Sequence, residues 1–282
     1  MGAGPTAMRS PITPLRLFEP RSLREALRLL RDEDPLVPLA GCTDVYVGLN
    51  AGTLPHTRYL NLWQLDALKR IEIRGDRLVV GALATYAAIA RSRLVSRRLP
   101  MLAAAAREVG GLQIQNRGTL GGNIATGSPA GDSLPVLAAA DADVILESAG
   151  GTRRVPFTRF YTGYRASVMR PDELIVAIEV PPVDGRQWFR KVGTRAAQAI
   201  SKVVVAGVRA ERPRVALGSV APTVVRAYRT EDVLAATGDV AEARHTLMTE
   251  IAPIDDIRST AAYRRQVAGN LLERFWRETE GS

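Results

Sequence analysis

Apolar and polar positions alternate along this chain in short runs, and the period switches repeatedly between two and about 3.6. Residues 14–18 (PLRLF) predict a strand. Ser22 and Glu25 have the spacing of a capping box, and Leu23, Ala26, Leu27 and Leu30 follow on one helical face. Residues 36–40 (LVPLA) predict a short strand that runs into Gly41-Cys42-Thr43-Asp44, then a short helix over 44–49 and a further strand at 58–62. KRIEIRGDRLVVGA alternates on either side of Gly75-Asp76, the signature of a hairpin. Helices are expected near 85–92 and 99–108. Over 109–132 periodicity gives way to glycine, which predicts a long ordered loop, and such loops in compact domains are usually functional. A short helix over 134–140 and strands at 143–148 and 173–180 complete this half.

The pattern breaks at Pro181-Pro182-Val183-Asp184-Gly185, a linker by composition. Strands are then expected at 187–194, 200–211 and 213–221, followed by two or three helices. The last, near 260–278, carries Tyr263, Val267, Leu271 and Phe275 as a core-facing stripe. The expected organisation is α+β: a flexible N-terminal tail over 1–12, a domain over 13–182, and a smaller sheet-plus-helices domain over 186–282. No internal repeat is evident.

Composition narrows the chemistry. With 282 residues, the chain can bury a core without disulfides or a structural metal. The single cysteine, Cys42, argues against an internal disulfide, a zinc cluster or a cysteine-ligated iron–sulfur centre. His56 and His245, the two histidines, lack partners for multi-His metal binding or a Ser-His-Asp triad. The net charge is +9, and 35 of the 38 basic residues are arginine, since only Lys69, Lys191 and Lys202 are lysine. The arginines are scattered rather than clustered, and the 5% of aromatic residues do not interleave with them as in single-strand nucleic-acid binders. An arginine-rich surface suits an acidic partner subunit or a phosphate-bearing ligand. No run of 18 apolar residues occurs and no apolar leader opens the sequence, so a cytoplasmic protein that neither spans nor enters a membrane is expected.

Three segments have the residue types of a binding site. In QIQNRGTLGGNIATGSPAGD (113–132), Gly121 and Gly122 allow close approach and positive φ, so successive amides are expected to form a nest for phosphate oxygens. Thr119, Asn123 and Ser128 add neutral hydrogen-bonding groups, and Asp132 is a fixed acceptor suited to sugar or ribityl hydroxyls. In PLAGCTD (38–44), a strand enters a small-residue turn that opens a helix, where a pyrophosphate can bind; such turns are also common as plain structure. Cys42 there is either a reactive thiol or a small residue tolerated in a tight turn. In WFRKVGTR (188–195), Lys191 either neutralises a phosphate or a reduced flavin, or lies on a solvated strand edge.

TLGGNIATGSPAGDSLP, AGCTD and WFRKVGTRAAQAISKV together resemble the FAD-binding medium subunit of molybdenum hydroxylases, the xanthine dehydrogenase and carbon monoxide dehydrogenase family, over about residues 13–278. FYTGYR (160–165) and PDELI (171–175) are most similar to the xanthine dehydrogenase branch. The resemblance implies a two-lobed FAD-binding domain of the vanillyl-alcohol-oxidase (PCMH) type, then a C-terminal domain of the CO-dehydrogenase flavoprotein type. It implies FAD contacts at Leu39, Ala40, Gly41, Cys42, Thr43, Asp44 and Val45, and at Thr119, Leu120, Gly121, Gly122, Asn123 and Ser128. Asp132 would hold a FAD hydroxyl, Ile175 and Val109 would touch the cofactor, and Lys191 would sit near the flavin. No metal ligand and no catalytic side chain is implied on this chain. The implied partners are a small subunit with [2Fe–2S] clusters and a large molybdopterin subunit, with electrons leaving FAD for NAD+ or another acceptor. A stand-alone FAD oxidase or reductase and a basic nucleic-acid-binding protein are the alternatives.

Overall fold

Sheets of three, five and four strands carry the chain, each traceable to a run of alternating or continuous apolar sequence. The computed structural model describes residues 15–33, 35–196 and 198–281; the tail expected over 1–12 lies outside them, as does Pro14. The first sheet is parallel, in the order β1-β3-β2: β1 (Arg16–Phe18), β2 (Val37–Leu39) and β3 (Arg58–Asn61). Helix α1 (Leu23–Asp32) crosses between β1 and β2, capped by Ser22 Oγ, which accepts from the Glu25 amide. The Glu25 carboxylate reaches back to the amide of Arg21, one residue beyond a regular capping box. Ala26, Leu27 and Leu30 share a core with Leu60 and Leu62, and α2 (Val45–Asn50) leaves the end of β2.

The second sheet is antiparallel, in the order β4-β5-β10-β6-β7. It comprises β4 (Ile71–Arg74), β5 (Arg77–Gly81), β6 (Asp143–Ser148), β7 (Gly151–Pro156) and β10 (Leu174–Val180). A small hairpin, β8 (Tyr161–Gly163) with β9 (Ala166–Ser167), precedes β10. Between β5 and β6 lie α3 (Tyr86–Arg91), α4 (Arg93–Arg98), α5 (Pro100–Glu108), α6 (Leu112–Arg117), α7 (Leu120–Thr126) and α8 (Leu134–Ala139). These helices and one sheet face bury a common core that includes Val80, Ile89, Leu102, Leu120 and Val144.

Of the elements that the sequence pattern does not predict, which include α4, the β8–β9 hairpin and a short strand at Val225–Arg226, three have a clear physical reason. The 109–132 loop contains two short helices, α6 and α7. Thr119 caps α7 by accepting from Gly122, and Gly127 closes it in the left-handed conformation at φ 59°. Glycines at the first turn suppress the helical signal, and tertiary contacts override their poor propensity. Strand β7 (GTRRVP) reads as polar because it is an edge whose arginines are paired, Arg153 with Glu173 and Arg154 with Asp143 and Glu179.

Beyond the proline pair, β11 (Arg186–Val192), β12 (Val203–Arg209), β13 (Arg214–Gly218) and β14 (Val225–Arg226) form an antiparallel sheet in that order. Helices α9 (Tyr228–Ala236), α10 (Val240–Glu250) and α11 (Ala261–Glu278) cover one face. The other face packs on α5 and α8, so β12 is apolar on both sides. Val204, Ala206 and Val208 join the core of the preceding half, while Val203 and Val205 join the core under α11. Leu271 and Phe275 of the expected stripe are buried there, whereas Tyr263 is exposed. Burying the Phe275 ring is worth about 1.5–3 kcal/mol. It occupies the space above Gly207, where a Cβ would lie 2.6 Å from the ring.

Candidate cofactor site

Two loops that are far apart in sequence touch through their main chains. Gly41 follows β2 and lies so close to the strand of residues entering α7 that a Cβ on it would sit 1.6 Å from the Arg117 carbonyl oxygen. No other residue type fits there. Arg117 stacks its guanidinium 3.8 Å above the Trp63 ring, and Thr126 Oγ1 meets Asp44 Oδ2 at 3.5 Å, so α2 and α7 are held side by side. Ala40 borders Gly122, whose missing Cβ leaves a flat floor beside Thr119.

Both loops are expected to offer open amides, and only the AGCTD turn does. In the glycine-rich segment they are consumed internally: Leu120 donates to Ala84 O, Gly121 to Ala82 O, Gly122 to Thr119 Oγ1 and Asn123 to Thr119 O. Neither Gly121 nor Gly122 has positive φ. The expected nest is therefore absent there, and the glycines serve close approach instead: a Cβ on Gly121 would lie 2.7 Å from Ala82. In the AGCTD turn, the amides of Gly41, Cys42, Thr43 and Asp44 have no acceptor among the described residues. Cys42 takes the left-handed conformation at φ 64°, which glycine adopts more readily than a residue with a Cβ. Burial pushes its thiol up, only partly countered by Arg117, so the reactive-thiol alternative finds no support.

Asp132 and Lys191 form a buried ion pair. Lys191 Nζ lies 2.6 Å from Asp132 Oδ2, with the side chains 5% and 8% exposed, and it also donates to the Glu108 carbonyl at 2.9 Å. Lys191 is thus not on a solvated strand edge. Oδ1 of Asp132 is buried with no hydrogen bond among the described residues, and the Ser201 hydroxyl faces the carboxylate and favours its ionised form. Burial pushes the Asp132 carboxyl up to about 6; the Lys191 ammonium opposes that rise without cancelling it, and the Glu108 charge adds to it. Val109 follows Glu108 at the end of α5, against the same core. Lys191 and Glu108 line a hollow of about 100 Å³ with Gly193, Arg195 and Gln198.

The structure thus brings Asp132, Lys191 and Val109 into one group and residues 39–45 and 119–123 into another. Gly131 joins them, since a Cβ on it would meet Asn123 Oδ1 at 3.0 Å. Ser128 turns inward and accepts from the Ala130 amide. Ile175 is buried in the sheet beneath α7, beside the irregularity that separates it from Ala177. A larger hollow of about 510 Å³ lies on the other face of the five-stranded sheet. Its arginines are largely neutralised locally, Arg74 by Glu72 and Arg154 by Glu179.

Sequence reasoning missed the residues that hold these groups still. Ser133 Oγ donates to Asn123 Oδ1 at 2.8 Å, and the buried Tyr86 hydroxyl lies 3.0 Å from Ser133 Oγ. From the C-terminal sheet, Ser201 Oγ donates to Ala130 O and the Ser219 amide to Pro129 O, fixing the 128–132 turn. Arg264 in turn donates to the Lys202 and Ser219 carbonyls. Among the described residues no group of His, Cys, Asp and Glu could hold a metal, and no helix is long and apolar enough to cross a membrane.

The donor set fits FAD. Open amides at 41–44 suit phosphate oxygens, a floor without side chains at Gly122 suits close approach, and the orphaned Asp132 oxygen suits a hydroxyl donor.

Comparison with known proteins agrees in kind. Residues 13–183 match the FAD binding domain in molybdopterin dehydrogenase, and residues 188–279 match the CO dehydrogenase flavoprotein C-terminal domain. The glyceraldehyde dehydrogenase medium chain of Sulfolobus acidocaldarius is 32% identical over 267 residues, 91% of this chain and 95% of that one. The xanthine dehydrogenase FAD-binding subunit of Escherichia coli O157:H7 is 32% identical over 221 residues, 74% of this chain and 75% of that one. Among solved structures, the carbon monoxide dehydrogenase from Hydrogenophaga pseudoflava that lacks the Mo-pyranopterin moiety of its cofactor superposes with a TM-score of 0.87. It is 27% identical and covers 92% of this chain and 95% of that chain.

Proposed function

The chain belongs to the FAD-binding medium subunits of molybdenum hydroxylases, an oxidoreductase family, and from that premise we propose that it is the electron-transfer subunit of such an assembly. FAD, when bound, would supply the redox chemistry that links [2Fe–2S] clusters on a small subunit to NAD+ or another acceptor. A large molybdopterin subunit is the third partner, and the assembly works in the cytoplasm, where pyridine nucleotide is at hand. The single cysteine supports this division of labour, since it cannot ligate a cluster.

The residues of this chain bind and orient. The turn of Leu39, Ala40, Gly41, Cys42, Thr43, Asp44 and Val45 offers its amides to the pyrophosphate. Thr119, Leu120, Gly121, Gly122 and Asn123 form the wall opposite, with Ser128 shaping the loop that follows. Asp132 accepts from a cofactor hydroxyl, Val109 and Ile175 give apolar contact, and Lys191 holds a positive charge beside the flavin. The division into a cofactor domain over 13–182 and a C-terminal domain over 186–282 belongs to the same proposal; the two family matches support it.

The observation that carries the proposal is the buried, unpartnered Asp132 oxygen, together with the row of open amides at residues 41–44. The test is cofactor content. The full-length protein should release one FAD per chain on acid precipitation, identified by chromatography. A colourless protein that cannot be reconstituted with FAD would refute it.

A further inference from the structure

Asn123 sits in the first turn of α7, and its carboxamide has a fixed sense. Ser133 Oγ lies 2.8 Å from Asn123 Oδ1 and 3.0 Å from the Tyr86 hydroxyl oxygen, and both Ser133 and Tyr86 are buried. Each hydroxyl has one hydrogen, and a carbonyl oxygen only accepts. With Oδ1 facing Ser133, the serine hydrogen goes to Asn123 and the tyrosine hydrogen goes to the serine, so both are used. With the amide reversed, Nδ2 would donate to Ser133, and either the serine or the tyrosine hydrogen would be left buried without an acceptor. The observed sense is therefore the stable one. It leaves Asn123 Nδ2, which has no acceptor among the described residues, free to donate to a ligand. Burial pushes the Tyr86 phenol well above its ordinary value, so it stays a donor at any working pH.

We propose that Ser133 and Tyr86 are positioning residues for the cofactor: Ser133 sets the sense of the Asn123 carboxamide, Tyr86 locks the Ser133 hydroxyl, and the Asn123 N–H group is thereby presented to FAD. This rests on the reading that Asn123 faces FAD. Ser133 directly follows Asp132, whereas Tyr86 comes from the start of α3, outside both the glycine-rich segment and the AGCTD turn.

The experiment is FAD titration of the full chain stripped of flavin, with Ser133→Ala, Asn123→Ala and the pair combined. Losing one neutral hydrogen bond behind the donor should raise the FAD Kd about 2- to 12-fold. In the Asn123→Ala background the same Ser133→Ala change should alter Kd less than twofold, because nothing remains to be oriented. An equal loss in both backgrounds would mean that Ser133 is merely structural, and would overturn the proposal. So would an unchanged Kd in Ser133→Ala. Because Ser133→Ala orphans the Tyr86 hydroxyl, Tyr86→Phe/Ser133→Ala serves as the variant with no buried donor unpaired; it should match Ser133→Ala in FAD affinity. An Asn123→Ala variant that binds FAD like the parent removes Asn123 from the site and the proposal with it. Failure of the parent itself to bind FAD is a different result and refutes the functional reading.

Discussion

Replacing Asp132 by Asn removes one charge from a buried pair and leaves the shape intact. The consequence for cofactor binding follows from proton linkage. The carboxyl, raised by burial to about 6 from an ordinary 3.8, is partly protonated at mildly acid pH. A FAD hydroxyl donating to Oδ1 favours the ionised form, so binding must expel a proton below pH 6. Between pH 7 and pH 5 the parent should therefore lose about tenfold in FAD affinity. Asp132→Asn has no such proton. It should bind about tenfold more weakly than the parent at pH 7, the difference of about 1.4 kcal/mol between a charged and a neutral acceptor, and the two should converge near pH 5. Flavin fluorescence titration at pH 5, 6 and 7 reads both slopes, with exposed Asp184→Ala as the unchanged control. A parent whose affinity does not change with pH, or a variant that keeps the parent's slope, would sink the assignment of Oδ1 to the cofactor.

The same group gives stability a definite sign in the absence of cofactor. A folded-state pKa above the unfolded one means the folded chain holds the proton more tightly. Its contribution is fully present below pH 3.8 and is lost as pH rises through about 6, to the extent of about 3 kcal/mol. Asp132→Asn abolishes that dependence but leaves the Lys191 ammonium, 5% exposed, with no counter-charge, only the Glu108 carbonyl and a neutral amide oxygen to accept from it. Breaking a buried pair from one side costs about 3–5 kcal/mol, or roughly 6–20 °C in Tm at this size. Asp132→Asn/Lys191→Met should recover most of that loss without recovering FAD affinity. Equal melting of Asp132→Asn and parent would contradict the buried pair.

Three further outcomes are expected. Gly41→Ala places a Cβ against the Arg117 carbonyl and should lose flavin and several degrees of Tm, measured by thermal melting; tight FAD binding by this variant would disprove the close approach. Cys42→Gly relieves a left-handed backbone and should be as stable as the parent or up to about 1 kcal/mol more so, with FAD binding retained, as denaturant unfolding will show. The chain purified without partners should give no iron–sulfur EPR signal; stoichiometric iron on it would overturn the assignment of the clusters to another subunit.

Local pattern carried the strands well. The hairpin around Gly75, at φ 62°, and strand β6 were legible because alternation and a turn residue coincide there. Helices α6 and α7 were not, because what makes them helical is a run of contacts with residues 82–86, remote in sequence. The same remoteness decided which of the two loops keeps its amides open. Composition shows that both can approach a ligand, but which amides remain free depends on whether another segment has already taken them. Ala84 and Ala82 take the amides of Leu120 and Gly121, Thr119 takes those of Gly122 and Asn123, and those of the AGCTD turn have no acceptor among the described residues.

Lys191 shows where sequence pattern stops. Along β11, Phe189 and Lys191 point to one side, and Trp188 and Arg190 to the other. On an ordinary half-buried strand the side with the lysine would be solvent. Here both sides are covered: Trp188 meets Phe275 and Glu278 of α11, while Phe189 joins the core under α5 and α8. Lys191 therefore enters the seam between the two halves of the chain, 59 residues from the one carboxylate among the described residues that pairs with it. Alternation gives the period but not which layer covers which face, and burial of this lysine follows from the layer. A consequence for the whole molecule is that Asp132, in the loop between α7 and α8, and its counter-charge on β11 come from different halves of the chain. Any motion of the C-terminal sheet against α5 would uncouple Asp132 from Lys191, so the apolar contacts of Val204, Ala206 and Val208 guard the electrostatics of the site as well as the fold.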